Sequence, residues 1–315
     1  MLRYSLTEFI LSPPDVMVSS IAILPGTGKQ GQAAIKVFRD RGYTVHTLVR
    51  NPSSDVSQEL QSLGAIVHKG DLTDIKSIEA SLNGTEALFF AIPAHPHNEI
   101  LFAKNILAAA SNSNVQSIVY SSVARAGEHE SFPGWDADSY PLGWYWMNKQ
   151  TIEGLVRTSK FTYWTILRPA FFIQNFCRPE VEHMFPGLAE EQRLSVAYTP
   201  STQLDLIDTQ DIAKFAAAAF EEPETFSGQE IPLASEKMTA TELAEVLGTI
   251  SGKVVDVHYI SDDEVPELLA KGYRAVQAQQ WHRDVGYAVD PQEVKQYGVT
   301  LAPVQKVLER DGLGW

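Results

Sequence analysis

Residues 21–31, "IAILPGTGKQG", run from a short apolar segment straight into glycines. A strand-like run followed at once by G-x-G-x-x-G, here Gly26, Gly28 and Gly31, and then by a helix-like segment, is the pattern of a loop that holds a dinucleotide pyrophosphate. Gly26 permits a tight turn, Gly28 lets the backbone approach phosphate, and Gly31 lets the helix pack closely on the strand. Amides at the helix start then face the anion. A loop of the GxxxxGK[ST] kind would need Ser or Thr after Lys29 to hold Mg²⁺, and Gln30 stands there. Pro25 fixes φ and has no amide hydrogen, so it stiffens the turn without removing a donor from the helix start.

Outward from this loop, strand-like and helix-like runs alternate: "QAAIKVFRDRG", "YTVHTLV", "SQELQSLG", "AIVHKGD", "DIKSIEASLNG", "EALFFAI", "EILFAKNILAAASNS" and "VQSIVYSS". This βαβ rhythm predicts an α/β fold with a doubly wound parallel sheet. The strands are rich in Val, Ile and Phe without strict alternation, as strands covered on both faces are. Gly42 and Gly84 follow the first and third helices as stops.

After Gly127 the composition turns to Gly, Pro and aromatics, "GEHESFPGWDADSYPLGWYWMNK", followed by a helix expected over Gln150 to Ser159 and the strand "FTYWTILRPAFF". Beyond Asn175 the alternation becomes irregular. The expected organisation is an N-terminal arm over 1–17, a nucleotide-binding domain over 18–175, and a smaller C-terminal α/β substrate lobe over 176–315, with segments interleaved with the main sheet. The arm carries Glu8, Pro13 and Pro14, which interrupt any secretory or membrane-spanning core.

The chain has 315 residues, 44% of them hydrophobic, and 25 Lys plus Arg against 39 Asp plus Glu, a formal net charge of -14. That balance argues against nucleic acid, whose phosphate backbone needs a basic face. No 18-residue apolar run suggests a membrane span. The single Cys177 forms no internal disulfide, which fits a reducing, cytoplasmic location. No His, Cys and carboxylate cluster has metal-ligand spacing, so no metal is expected.

The second strand, "YTVHTLV", ends in Arg50, where proteins that favour NAD usually place a carboxylate to accept from the ribose hydroxyls. A guanidinium offers no acceptor but suits a 2′-phosphate, so NADP is the expected cofactor.

"ILPGTGKQG", "TLVRNPSS", "GDLTD", "SIVYSSVARAG" and "YWTILRPAFFIQNF" together resemble successive motifs of the NmrA-like family, atypical members of the short-chain dehydrogenase/reductase superfamily. The likeness runs from about Ser19 into the C-terminal region, through "DLIDTQDIAKFAAAAF" and "GQEIPLASEKMTATELAEVLGTISGK". It implies a Rossmann-type domain with a small C-terminal lobe and NADP across the strand ends. By this resemblance Thr27, Gln30 and Gly31 lie at the pyrophosphate, Arg50 at the 2′-phosphate, and Asp71 and Leu72 beside the adenine. Ala91, Ile92 and Pro93 line the cofactor after the fourth strand, and Pro169, Ala170, Phe171 and Phe172 flank the nicotinamide. The family usually has glycine where this chain has Pro25.

The family contains both reductases and NADP-binding regulators, so chemistry has to be read from the residues. In "YWMNK", Tyr145 and Lys149 stand four apart, on one helix face, in the Y-x-x-x-K spacing of catalytic short-chain reductases. An ammonium beside a phenol is expected to draw the tyrosine pKa down and to hold the nicotinamide ribose, leaving Tyr145 to exchange a proton with a carbonyl oxygen. Of Ser121 and Ser122, the later lies nearer the strand's carboxyl end and is preferred as the polarising hydroxyl.

Trp135, Trp144, Trp146, Phe171, Phe172 and Phe176 suggest an apolar, aromatic or terpenoid-sized substrate, with His95 and His97 as further candidates. "QQWHRDVGY" is a candidate to close over the pocket. Three functions follow: an NADPH-dependent reductase of a carbonyl or activated double bond, fitting secondary metabolism; an NADP-sensing regulator docking a basic protein; and a non-redox isomerase. A homodimer is compatible with any of them.

Overall fold

The computed structural model describes residues 18–315; the arm expected over 1–17 lies outside the described residues. The central layer is a seven-stranded parallel sheet. Its first six strands are β1 (Ser20–Leu24), β2 (Thr44–Val49), β3 (Ile66–Lys69), β4 (Ala87–Phe90), β5 (Ser117–Ser121) and β6 (Tyr163–Pro169). They lie in the order 3-2-1-4-5-6. This is the doubly wound Rossmann order, and its direction reverses between β1 and β4, where such sheets hold ligands at the strands' carboxyl ends.

Five helices cover the two faces: α1 (Lys29–Asp40), α2 (Asp55–Ser62), α3 (Ile75–Leu82), α4 (Glu99–Ser111) and α5 (Gly143–Arg157). Ser54 and Asp74 cap α2 and α3 by accepting from the amides of Ser57 and Lys76. Gly42 and Gly84 sit at φ +86° and +79°, the left-handed conformation that lets the chain leave a helix. Helix α5 begins at Gly143, seven residues before the expected Gln150. The aromatic-rich stretch reads as loop, but Trp146 is buried against Phe132 and Trp281, and that packing outweighs weak local propensity.

The polypeptide leaves this layer at β7 (Phe171–Phe172), passes through α6 (Val181–Met184), α7 (Leu188–Glu191), β8 (Arg193–Val196) and β9 (Gln203–Ile207), and then returns. Helix α8 (Thr209–Glu221) lays Ala213, Ala216, Ala217 and Phe220 on α1, whose Ala34, Ile35 and Phe38 face the same core. After α9 (Pro223–Phe226), β10 (Glu230–Leu233) adds a seventh strand parallel to β6.

The remaining elements are β11 (Glu236–Thr239), α10 (Ala240–Ser251), β12 (Asp256–Tyr259), α11 (Val265–Ala270), α12 (Ala275–Asp284), α13 (Pro291–Val294) and α14 (Val304–Asp311). β9 joins β7 and β11 in a three-stranded sheet, and β12 pairs with β8. Phe176, Phe185, Leu206, Leu247 and Leu308 fill a second core there. Among the described residues, no helix is long and apolar enough to cross a membrane.

Candidate active site at the carboxyl ends of the sheet

The loop after β1 uses its glycines in two different ways. A Cβ on Gly31 would fall 2.2 Å from the Pro25 carbonyl oxygen, and one on Gly26 would fall 2.1 Å from Thr47 Oγ1. Both are therefore required by packing. Gly26 does not occupy the positive-φ region, so its need is for space beside β2 rather than for a special turn. A Cβ on Gly28 would meet nothing within 4 Å. Gly28 is also the N-cap of α1, with no side-chain cap and no acidic residue in the first turn, so this helix start offers its amides to an anion.

The other residues expected at a cofactor follow the strand ends. Arg50 is exposed just after β2, and its charge helps hold the Asp71 carboxyl below its usual range, after the larger effect of hydrogen bonds from Thr73. Those bonds, at 2.8 Å from the Thr73 amide and 2.7 Å from its hydroxyl, fold a turn beyond β3. Leu72 is buried, and its carbonyl accepts from Asn105 Nδ2 at 2.9 Å. Ala91, Ile92 and Pro93 follow β4, with the Ala91 amide donating to Leu24 across the switch point. Thr27 is exposed in the loop, and Gln30 Oε1 accepts from Ser121 Oγ at 2.6 Å. The two serines at the end of β5 are thus divided, for Ser121 is bonded to Gln30 while Ser122 is among the residues that line a cavity.

That cavity has about 850 Å³ of empty space, its open mouth included, between the carboxyl ends of β5 and β6 and the C-terminal lobe. Ser122, Tyr145 and Trp146 line one side, and the Pro169–Phe172 stretch another. Trp281, His282 and Tyr287, from α12 and the turn after it, complete the wall, so three residues of "QQWHRDVGY" line this space. The Ser122 hydroxyl is buried and makes no hydrogen bond among the described residues; it lies near that of Tyr120, outside bonding geometry but close enough to offset part of the burial that pushes Tyr120 up.

Of the residues expected to touch substrate, five sit elsewhere. Phe176 is fully buried and stacked on Phe185 in the lobe core. Trp135 packs on His129 and Tyr140, and Trp144 borders Tyr145 outside the cavity lining. His95 and His97 are both exposed ahead of α4 and outside the cavity lining, the His95 ring accepting from the His97 and Asn98 amides. Among the described residues no metal-binding group of three or more ligands exists.

Tyr145 and Lys149 do share one face of α5, but their electrostatics differ from the simple expectation. Lys149 Nζ lies 2.7 Å from Glu99 Oε1, with both side chains buried, and Asn148 Nδ2 donates to the other carboxylate oxygen at 3.3 Å. The ammonium stands 5.4 Å from the centre of the Tyr145 ring. Tyr145 is held well above the usual phenol pKa, first by burial and then by Tyr287 and Glu99. The expected lowering is corrected here: the nearby positive charge is already neutralised, so desolvation wins.

Sequence reasoning missed Glu99, which nothing local marks as more than a first-turn carboxylate. It also passed over Lys29, whose Nζ reaches across the cleft to Glu180 Oε2 at 3.0 Å and Asn175 Oδ1 at 3.2 Å.

The family model described as the NmrA-like family matches residues 17–295. An NmrA-like family domain-containing protein of Dictyostelium discoideum is 26% identical over 261 residues, covering 79% of this chain and 82% of that protein. Among solved structures, NmrA, a negative transcriptional regulator, in complex with NAD superposes with a TM-score of 0.75 at 17% identity, over 94% of this chain and 96% of that one. The NADPH-dependent quinone oxidoreductase QOR2 of Escherichia coli, complexed with NADPH, gives 0.71 at 22% identity, over 92% and 99%. The strand order, the glycine loop and a family match across nearly the whole chain agree: this protein belongs to the NmrA-like family.

Proposed function

We propose that the protein is an NADPH-dependent reductase of a carbonyl or activated double bond in a small, largely apolar or aromatic substrate. The observation that carries this reading is that Ser122 and Tyr145 open onto one apolar cavity beside Pro169–Phe172, at the carboxyl end of the sheet that carries the glycine loop. The open space over Gly28 and the uncapped start of α1 suit a pyrophosphate, and the exposed Arg50 suits a 2′-phosphate. NADPH is also the cofactor bound in the QOR2 complex, a neighbour in fold.

When bound, the cofactor supplies hydride to the substrate carbon. Ser122 donates a hydrogen bond to the substrate oxygen and polarises it. Tyr145, kept as a neutral phenol by its surroundings, gives its proton to that oxygen as negative charge develops there. Lys149 is held beside the Tyr145 ring by Glu99, and water restores the proton that the phenol has given. A regulator would need no such chamber, and the open cavity at Tyr145 favours catalysis over that alternative.

The test is NADPH oxidation against a panel of quinones, ketones, imines and enones, with Tyr145→Phe beside the native protein. Loss of about 10²-fold or more in kcat with unchanged NADPH affinity supports the reading. Full turnover by the variant, or no oxidation with any acceptor, overturns it.

A further inference from the structure

The residue that opens α1 belongs to both halves of the molecule. Lys29 follows Gly28, and the first amide of this helix to find a helical acceptor is that of Gln32, so the Lys29 amide is one of the free donors at the helix start. Its side chain reaches the lobe. Lys29 Nζ donates to the Gln174 carbonyl at 3.1 Å and to Asn175 Oδ1 at 3.2 Å, and it pairs with Glu180 Oε2 at 3.0 Å. Three acceptors occupy the three ammonium hydrogens. The side chain is only 24% exposed, which shields the grip from much of the solvent that weakens surface pairs.

Among the described residues, Lys29 alone in the stretch 18–160 hydrogen-bonds or ion-pairs with the segment 173–184. Gln174 is fixed from the opposite side. Its Nε2 donates to Asp208 Oδ1 at 2.7 Å and to Asp311 Oδ2 at 3.0 Å, and its Oε1 accepts from the Thr209 amide at 3.3 Å. Beyond it stand Asn175, which lines the cavity, Glu180, which directly precedes α6, and Met184, which ends α6 and lines the cavity as well. One side chain therefore joins the glycine loop to a wall of the chamber that holds Ser122 and Tyr145.

We propose that Lys29 is a positioning residue that transmits occupancy of the nucleotide loop to the substrate wall: its amide meets the cofactor diphosphate while its ammonium holds Gln174, Asn175 and Glu180, so the wall is firm with nucleotide bound and looser without it. This deepens the proposed function and rests on it for the place of the nucleotide. An anion at a helix start is met by backbone amides, so Lys29 serves both sides without giving up its lobe partners. By linkage, a ligand of the wall returns the same factor as nucleotide affinity. For the reductase, cofactor binds ahead of substrate.

The experiment is amide hydrogen exchange of the segment 173–184 with and without saturating 2′-phospho-ADP-ribose, which carries the diphosphate but has no nicotinamide ring to touch the cavity. The amides of Cys177, Val181 and Met184, bonded to Gln174, Cys177 and Glu180, are the reporters. In the native protein their exchange should slow about five-fold on binding. Lys29→Met should bind the nucleotide within three-fold of native affinity and show less than two-fold slowing, and Lys29→Arg should restore it. Lys29→Gln, too short to reach Glu180, repeats the test should the Met variant not fold. Equal slowing in the native protein and Lys29→Met, unchanged or faster exchange in the native protein, or a ten-fold loss of nucleotide affinity in Lys29→Met overturns the proposal. Slowed exchange without NADPH oxidation would refute the reductase reading alone, and turnover without slowed exchange would refute this inference alone.

Discussion

Glu99 and Lys149 form an ion pair at 2.7 Å inside the protein, one turn of helix from the phenol of Tyr145. The carboxylate helps keep that phenol protonated, so on the reductase reading the rate should hold through mildly alkaline pH and fall only where Tyr145 ionises. Glu99→Gln removes the negative charge and leaves the ammonium unopposed. In profiles taken between about pH 6 and 10, kcat of the native protein should then stay level at the alkaline end while that of the variant begins to fall there, its limb having moved to lower pH. A limb that stays in place would show that Glu99 has no electrostatic influence on the proton donor.

The two kinds of glycine in the loop separate folding from binding. Gly28→Ser places a side chain in open space at a position where serine is a good helix cap, so stability should change by no more than about 0.5 kcal/mol. NADPH affinity should nevertheless fall ten-fold or more, because the side chain stands over the helix-start amides. Gly31→Ala drives a Cβ against backbone oxygen and should lower the melting temperature by several degrees. Thermal melts and cofactor titrations of both variants check the contrast.

Arg50 sits exposed beyond β2 with its charge directed toward the region of Asp71. Arg50→Glu should weaken NADPH by about ten-fold or more and leave NADH nearly unchanged, the difference being a charge-assisted contact to one phosphate. Equal loss for both cofactors would remove Arg50 from the 2′-phosphate site.

His282 gives a pH test of stability. Burial pushes its pKa down to about 3 from an ordinary value of 6.5. The unfolded chain therefore takes up a proton that the folded protein refuses, and the stabilisation present above pH 6.5 is lost as pH falls toward 3. Between pH 7 and 5 this single group should account for about 2 kcal/mol. Denaturant melts at the two pH values should show that much less acid sensitivity in His282→Gln than in the native protein.

The sheet was legible because βαβ units repeat a local pattern, and each strand of Val, Ile and Phe needs no distant partner to be recognised. The placement of Ser122 could be read for the same reason, since the carboxyl end of a parallel strand is where ligands gather. What could not be read depends on residues far apart in the chain. Glu99 meets Lys149 across 50 positions, and Lys29 meets Glu180 across 151, and neither pairing leaves a mark on its own neighbourhood. Phe176 shows the converse: an aromatic beside the right motif points where the local backbone sends it, here into the lobe core. The helix boundary at Gly143 was hidden because Trp146 gains its stability from Phe132 and Trp281 rather than from its neighbours in sequence.

Strand β10 has a consequence for how the molecule can come apart. It enters the sheet only after the chain has built much of the second core, and Ile231 and Leu233 sit in register beside Leu167 and Pro169. A fragment stopped at residue 175 would have β6 as a bare sheet edge and α1 stripped of the alanine-rich helix that covers it. The nucleotide half is therefore no autonomous module to be cut out or fused elsewhere; it is completed by polypeptide made after the first part of the lobe, and the two are expected to melt in one transition.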